Sequence, residues 1–254
     1  MEQYELWKAL LRQGAELPFW QDFYVKFYQA FIENDRWQQY LKGVGTTLWV
    51  TALALALGVV LGILVAMIRS AHDQRRPGKG NVFLSLANGF CRVYVTVIRG
   101  TPMMVQLLIM GLVIFASSRN FTGVGALTLG INSGAYVSEI VRGGLMALDP
   151  GQAEASRSLG LNYVDTMRFV VIPQAFKAIL PALGNEFIML LKDTSLITYI
   201  GGKELLYAAQ GIYGRTYEAM YPLLITAASY LILVIILTWL QGILERRMRQ
   251  SDRR

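Results

Sequence analysis

Ionisable side chains stand inside the apolar segments of this chain, where a charge is costly and often serves a function. Glu139 and Glu186 each lie in a strongly apolar stretch, and Lys192 and Asp193 follow at the end of the second one. Glu186 and Asp193 are seven positions apart, so a helix would place both on one face. We interpret these residues as candidate contacts for a small polar solute, together with neutral polar side chains at a similar depth. The neutral candidates are Gln106, Asn132, Ser133, Tyr136 and Asn185.

A structural interpretation of the same residues stays open. Glu139 and Arg142 could pair near one end of their segment, and residues 192–195 could simply end a helix at the membrane interface. Asn185 and Glu186 could equally hold two protomers or a gate together. The residue types alone do not decide between solute contact and structural support.

The elements that position these residues must be membrane-spanning helices. The chain has 254 residues, of which 54% are hydrophobic and 16% are charged. Residues 43–68 and 219–244 are each free of charged side chains over 26 positions. A helix of that length measures ~39 Å, more than the ~30 Å hydrocarbon core requires. The sequence therefore predicts an all-α membrane protein.

Composition argues against several other kinds of site. Cys91 is the only cysteine, which excludes an internal disulfide and a cysteine-rich metal site. His72 is the only histidine, so we expect a polar loop residue there, and neither a histidine-based metal site nor a catalytic triad. The net charge of +7 fits basic loops on the cytoplasmic side of a membrane and requires no nucleic-acid partner.

Two basic clusters predict the topology, because positively charged loops stay on the cytoplasmic side. Residues 82–118 are interrupted at Gly100, Thr101 and Pro102, and treating them as one bent crossing keeps both clusters on the same side. About five spans follow, with the N-terminus outside and the C-terminus in the cytoplasm. The clusters are Arg69, Arg75, Arg76 and Lys79, and then Arg246, Arg247, Arg249, Arg253 and Arg254; the spans are 44–68, 82–118, 120–145, 174–194 and 219–244.

Residues 1–43 precede the first span and are expected outside the cytoplasm. Their aromatic residues recur at helical spacing, and Gln21, Asp22, Lys26 and Glu33 lie between them. One aromatic face and one charged face suit a helix that lies in the membrane interface and anchors the first span. The aromatic residues are Phe19, Trp20, Phe23, Tyr24, Phe27, Tyr28 and Phe31.

The segment 151–173, between the third and fourth predicted spans, is too polar to cross a bilayer. A helix of small residues is expected first, then a turn at Gly160, then a second helix that Pro173 stops or that gives way there to the next span. Small residues let a partner surface approach closely, so we expect this segment to dock to another protein. Its charged residues are Glu154, Arg157, Asp165 and Arg168, and its small ones are Ala153, Ala155, Ser156 and Ser158.

This segment resembles the EAA loop of ABC-importer permeases, whose pattern is Glu-Ala-Ala, three residues, Gly, nine residues and Ile-x-Leu-Pro. The pattern here is Glu154-Ala155-Ser156, then Gly160, then Val170-x-Ile172-Pro173, and the departures are to residues of similar size. Four further blocks are similar to the polar amino-acid branch of that family, and they keep their order across residues 44–245, about four fifths of the chain. They are Arg99-Gly-Thr-Pro-Met-Met-Val-Gln106, Asn132-Ser-Gly-Ala-Tyr-Val-Ser-Glu139, Arg142-Gly-Gly144, and Asn185-Glu186 with Lys192-Asp-Thr-Ser-Leu196.

The resemblance implies a type I importer permease with a transmembrane domain over 44–245, a coupling loop at 150–172 and a basic cytoplasmic tail at 246–254. It implies import of polar amino acids across the bacterial cytoplasmic (inner) membrane. Mixed donors and acceptors along the path would suit an ammonium and a carboxylate. In that family the loop sits in a groove of a cytoplasmic ATPase, which implies coupling roles for Glu154, Ala155, Ser156, Gly160 and Pro173.

The resemblance also implies partners. Neither Gly78-Lys-Gly80 nor Gly201-Gly-Lys-Glu204 has the spacing of a phosphate loop, so ATP and Mg²⁺ are expected on a separate ATP-binding subunit and no cofactor on this chain. A second permease copy, as a homodimer or heterodimer, and an extracytoplasmic amino-acid-binding protein are expected too. A self-contained secondary transporter or channel for small polar solutes is the main alternative. A membrane enzyme is less supported, because the chain offers no metal cluster and no nucleophile with a base.

Overall fold

The computed structural model describes residues 2–73 and 81–251, and helices account for nearly all of them. Short 3-10 turns precede α3 and follow α9, and π-helical turns follow α5 and precede α9. The helices are α1 (Glu2–Arg12), α2 (Phe19–Phe31), α3 (Arg36–Asp73), α4 (Val82–Gly100), α5 (Met103–Ile109), α6 (Phe121–Met146), α7 (Pro150–Ser158), α8 (Tyr163–Thr166), α9 (Ile172–Asp193), α10 (Leu205–Thr216) and α11 (Met220–Ser251).

Four helical stretches are long and apolar enough to cross a membrane: Glu33–Asp73, Val82–Gly100, Tyr163–Ile200 and Met220–Met248. They contain α3, α4, α9 and α11. Helix α6 has 26 residues but is rich in Gly, Ser, Thr and Asn. It lies at the centre of the bundle, where other helices cover it, so close packing matters there more than contact with lipid. With α6 the described chain has the five long helices that the sequence predicts.

Helices α3 and α6 run parallel and approach closely through glycines. A Cβ added to Gly58 would lie 2.7 Å from Ser133 Oγ, and one added to Gly62 would lie 2.6 Å from Val137 Cβ. Because the contacts advance together along both helices, their C-terminal ends share one end of the bundle. The Arg142 guanidinium at the end of α6 accordingly contacts the Asp73 carboxylate at the end of α3, at 2.7 Å.

The stretch 82–118 consists of two helices that meet at a break. Helix α4 ends at Gly100, Thr101 and Pro102 are extended, and α5 begins at Met103. Proline lacks the N–H that a continuous helix would need at that position. The predicted break is therefore confirmed, but it separates two elements.

The bundle has two ends. The loop end carries the C-terminal ends of α3 and α6 together with α7, α8 and the start of α9. The N-terminal end carries α1, α2, α10 and the start of α11, as the ring contact between Phe23 and Tyr221 and the packing of Gly43 against Leu205 show. Between the ends, the buried core contains Val50, Leu107 and Leu129.

Two expectations about loop residues need correction, because Arg69 and His72 lie within the last turns of α3 and not in a loop. The basic tail expected at 246–254 is helical to Ser251, as part of α11. The other basic residues of the two clusters, Arg75, Arg76, Lys79, Arg253 and Arg254, lie outside the described residues, as does Gly78-Lys-Gly80.

Candidate functional site

The centre of the bundle holds a buried polar pair. The Ser133 hydroxyl on α6 donates a 2.7 Å hydrogen bond to Glu186 Oε1 on α9, and both side chains are buried. Gly58 on α3 faces the same serine. Within the described chain, no Lys or Arg forms an ion pair with Glu186. A buried carboxylate of this kind requires hydrogen-bond donors, and a cationic group would be a favourable additional partner.

A second polar pair lies on the neighbouring side of α6. Asn132 Nδ2 donates to Gln106 Oε1 at 2.9 Å. The Gln106 amide in turn donates to the Ile98 carbonyl at 2.7 Å and to the Thr101 hydroxyl at 2.8 Å. Gln106 thus satisfies a carbonyl that the break between α4 and α5 leaves free. Its amide both stabilises the break and connects it to α6.

Tyr136 completes the contacts between α6 and the end of α4. The Arg99 guanidinium lies 5.3 Å from the centroid of the Tyr136 ring, within the range of a cation–π interaction. Tyr94 on α4 donates to the Ile131 carbonyl at 2.5 Å. The structure therefore places Gln106, Asn132, Ser133, Tyr136 and Glu186 on or against α6.

The remaining predicted path residues lie elsewhere. Lys192 is exposed and Asp193 is half-buried at the end of α9. The hydroxyls of Thr194 and Ser195 donate to the carbonyls of Leu191 and Lys192 at 2.7 and 2.8 Å. These hydroxyls satisfy carbonyls of the last turn, which supports the helix-ending interpretation of residues 192–195.

Glu139 and Arg142 do not pair with each other. Glu139 forms an ion pair with Arg69 on α3, and Arg142 forms one with Asp73 at 2.7 Å. Both pairs tie α6 to α3 near the loop end. They join different helices and not neighbouring turns of α6, because the parallel packing of α3 and α6 brings opposite charges together.

Asn185 faces α11, away from Glu186. Gln241 Nε2 lies 3.2 Å from Asn185 Oδ1, 3.1 Å from the Pro181 carbonyl and 2.9 Å from Glu245 Oε1. The Pro181 carbonyl lies inside α9, where a proline disturbs the helical ladder. Asn185 and Gln241 thus join α9 to α11 and lie apart from the central pair.

The polar segment between α6 and α9 forms a short exposed helix with a well-defined start. Asp149 caps α7 by accepting a hydrogen bond from the Gly151 amide at 2.9 Å, and Pro150 occupies the first turn. Glu154 and Ala155 are exposed, but Ser156 is buried and donates to the Gln152 carbonyl at 2.6 Å. The exposed face of α7 therefore contains Glu154 and Ala155 and leaves Ser156 on the inner face.

Gly160 makes the turn that the sequence predicts. Its φ is +90°, in the left-handed region that favours glycine. The Leu161 amide donates to the Ser156 carbonyl at 3.2 Å and the Gly160 amide to the Arg157 carbonyl at 2.9 Å, which is the Schellman pattern of a helix end. Asn162 then caps α8 by accepting from the Asp165 amide at 2.9 Å.

Pro173 does not stop the second short helix. Helical backbone runs from Tyr163 through a π-helical turn at Met167–Val171 into α9, and Pro173 lies in the first turn of α9. In a π-helical turn each N–H bonds the carbonyl five residues earlier instead of four. This shift in pairing accommodates Pro173, which has no N–H to donate. Of the two expectations for Pro173, the one in which it begins the next span is therefore the one observed.

Large apolar side chains are exposed on this segment. Leu159 is 86% exposed, Val164 67% and Phe169 63%. Leu159 directly precedes Gly160 in the chain, and Val164 and Phe169 follow it.

Glu204 is a functional candidate that the sequence did not reveal. It is 1% exposed and accepts hydrogen bonds from the Tyr230 hydroxyl at 2.6 Å, the Tyr207 amide at 2.9 Å and the Thr198 hydroxyl. Thr47 Oγ1 lies 3.5 Å away. The carboxylate thus joins α3, α10, α11 and the turn after α9. The sequence feature that could have pointed to Glu204 is its position as an acidic residue directly before the apolar start of α10.

Comparison with known proteins identifies the family of this bundle. Residues 58–250 match the family described as binding-protein-dependent transport system inner membrane component. The chain belongs to this family. It is a multi-pass inner-membrane permease component of an ABC importer, and the expectation of a transporter subunit and not an enzyme is confirmed. Permeases of this family work in general with an ATPase and a substrate-binding protein.

Individual relatives agree with this assignment. The chain is 35% identical over 216 residues to the glutamine transport system permease protein GlnP of Escherichia coli (strain K12), covering 82% of this chain and 92% of that one. It is 36% identical over 217 residues to the arginine transport system permease protein ArtQ of Bacillus subtilis (strain 168), covering 84% and 93%.

Solved structures confirm the type I permease fold. The crystal structure of an amino acid ABC transporter with histidines superposes with a TM-score of 0.73 at 39% identity, covering 83% of this chain and 94% of that one. An inward-facing structure of the MetNI methionine ABC transporter has a TM-score of 0.70 at 20% identity, covering 85% and 99%, and supports the fold alone.

Proposed function

We propose that this permease carries polar amino acids into the cell, driven by ATP hydrolysis on a separate subunit. The observation that carries the proposal is the exposed turn around Gly160, which presents Glu154, Ala155 and Leu159 at one end of a membrane-spanning bundle. Relatives named as glutamine and arginine permeases support amino acids as the substrate class. ATP and Mg²⁺ belong to the partner that binds this turn.

The path for the substrate runs beside α6 in this proposal. Ser133 and Glu186 offer a donor and a carboxylate, and Asn132 and Gln106 offer amide donors and acceptors. An amino acid carries an ammonium and a carboxylate at one carbon, and these groups require an acceptor and donors close together. Glu186 is suited to the ammonium and the amides to the carboxylate. Lys192 and Asp193 lie at the N-terminal end of the path.

The loop end faces the cytoplasm in this proposal, and the N-terminal end faces outside. Both basic clusters then fall at the cytoplasmic side, as the positive-inside rule requires. The ATPase binds at α7 and α8, and the extracytoplasmic binding protein delivers substrate at the opposite end. A second permease copy completes the transporter, as a homodimer or heterodimer.

Affinity purification of the tagged permease from its native membrane in mild detergent tests the assembly. We expect one ATP-binding subunit for each permease chain, and any second permease would distinguish a heterodimer from a homodimer. A permease that purifies alone, under conditions where other ABC importers remain intact, would contradict the proposal and favour a secondary transporter.

A further inference from the structure

Helices α1 and α2 form a unit that lies before the residues matched by the family. The Tyr4 and Tyr28 rings lie 4.3 Å apart, and Trp7 packs edge-on against Tyr24 at 6.0 Å. Lys8 on α1 forms an ion pair with Glu33, just beyond α2. These contacts hold the two helices together as a hairpin, named here the N-terminal hairpin (residues 2–35).

The N-terminal hairpin is attached to the ends of the spanning helices. Phe23 contacts the Tyr221 ring at 5.7 Å, and Lys26 lies 3.7 Å from Glu218, which fixes α2 to the start of α11. The Tyr40 hydroxyl on α3 donates to the Ala30 carbonyl at 3.3 Å. The position of α2 along the bundle is therefore set by α3 and α11.

The exposed side chains of α2 are all aromatic. Its charged residues Asp22 and Lys26 are only partly exposed and pair with each other at 2.9 Å. Trp20 is 74% exposed and Phe19 70%. A helix that faces water shows the opposite arrangement, with charged groups outermost. The exposed residues of α2 are Phe19, Trp20, Phe23, Tyr24 and Phe27.

The aromatic face is continuous with the apolar surface of a spanning helix. Tyr221, which Phe23 contacts, lies among the exposed side chains of Met220, Leu223 and Leu224 at the start of α11. That surface belongs to a stretch long and apolar enough to cross the membrane. Tryptophan and tyrosine favour the boundary between headgroups and acyl chains, because their rings are apolar and their N–H or O–H groups are polar.

We propose that the aromatic face of α2 binds the phospholipid headgroup region at the end of the bundle where α3 and α11 begin. The occupant of this face is lipid. Through Phe23–Tyr221 and Lys26–Glu218, the membrane surface then positions the start of α11. The proposal rests on the chain's place in the membrane and goes beyond its transport function.

Fluorescence quenching at single labelled sites tests this contact. In a Cys91→Ser background, Trp20→Cys and Phe27→Cys carry an environment-sensitive dye, and Gln13→Cys in the exposed α1–α2 connection is the matched control. The full transporter complex is reconstituted in vesicles of phosphatidylcholine and phosphatidylglycerol. We expect lipids with a spin label near the headgroup to quench the dye at positions 20 and 27 at least threefold more than at position 13. Aqueous iodide should show the reverse order.

Equal quenching by iodide at positions 13, 20 and 27 would overturn the proposal. If the dyes at positions 20 and 27 are shielded from iodide only when the binding protein is added, that protein covers the aromatic face and the proposal is overturned. If this shielding is lost in vesicles that hold one permease complex each, a second complex covers the face, and the proposal is again overturned. ATP-driven amino-acid uptake is measured on the same vesicles, so a failure of the transport proposal is seen separately from a failure of lipid contact.

Discussion

The Ser133 hydroxyl lies 2.7 Å from Glu186 Oε1, and this hydrogen bond joins α6 to α9 at the buried centre of the permease. Both helices continue to the loop end, where α7 and α8 connect them. In the proposed mechanism, a shift of the turn at Gly160 would reach this pair through either helix. Transport and ATPase binding would be coupled through this connection.

Removing the charge of Glu186 should impair transport. Glu186→Gln keeps the size of the side chain and an acceptor for Ser133 but loses a charged partner for the substrate ammonium. Hydrogen bonds to charged groups contribute about 1.5–3 kcal/mol, so uptake should fall roughly tenfold or more. Initial rates in proteoliposomes measure this. Glu245→Gln on α11 is the matched control, and an equal loss in both variants would argue against a path at Glu186.

Changing Gly160 should weaken the binding of the ATPase. An added Cβ at Gly160 would meet no atom within 4 Å, so the cost lies in the left-handed backbone, at about 1–2 kcal/mol for a residue other than glycine. Gly160→Val should reduce the ATPase subunit that copurifies, whereas Gly160→Asn should retain most of it, because asparagine tolerates this conformation. Equal binding in wild type and Gly160→Val would show that the turn geometry is not needed.

Gly144 and Gly143 provide a test of packing between α6 and α9. A Cβ at Gly144 would lie 2.3 Å from Ile179 Cγ1, while one at Gly143 would meet no atom within 4 Å. Gly144→Ala should therefore destabilise the protein by about 1–3 kcal/mol through overpacking, and Gly143→Ala should have little effect. Thermal unfolding can be followed with a thiol-reactive dye, since Cys91 is buried. Similar transition temperatures for both variants would contradict the observed approach of the two helices.

Loss of the Glu204 carboxylate should destabilise the N-terminal end of the bundle. Glu204→Ala leaves the half-buried Tyr230 hydroxyl and other donors without their acceptor. With hydrogen bonds to a charged group at about 1.5–3 kcal/mol each, the Tm should fall by at least about 5 °C. Glu16→Ala, at an exposed position, is the control. An unchanged Tm in Glu204→Ala would show that the cluster contributes little to stability.

The sequence predicts the spanning helices well because uncharged runs and polar boundaries are local features. The fourth span, expected at 174–194, is α9 at Ile172–Asp193, and the third, expected at 120–145, is α6 at Phe121–Met146. Gly160 was also predictable, since a helix end in the left-handed conformation favours glycine.

The partners of buried polar groups could not be predicted in the same way. Glu204 depends on Thr47 and Tyr230, which are distant in sequence and meet it only in the folded bundle. Glu139 pairs with Arg69 because α3 and α6 run parallel, and no local pattern contains that information. Ser156 is buried on α7, which packs against the π-helical turn at Met167–Val171, a contact that no local pattern reveals.

ATP-driven uptake of amino acids can be measured with the reconstituted transporter. The permease, its copurifying ATPase and the binding protein are placed in proteoliposomes, with labelled glutamine, arginine and histidine supplied outside together with the binding protein. We expect uptake of at least one of these amino acids that requires ATP inside the vesicles and is lost without the ATPase. Uptake by the permease alone, driven by an ion gradient and independent of ATP, would contradict it.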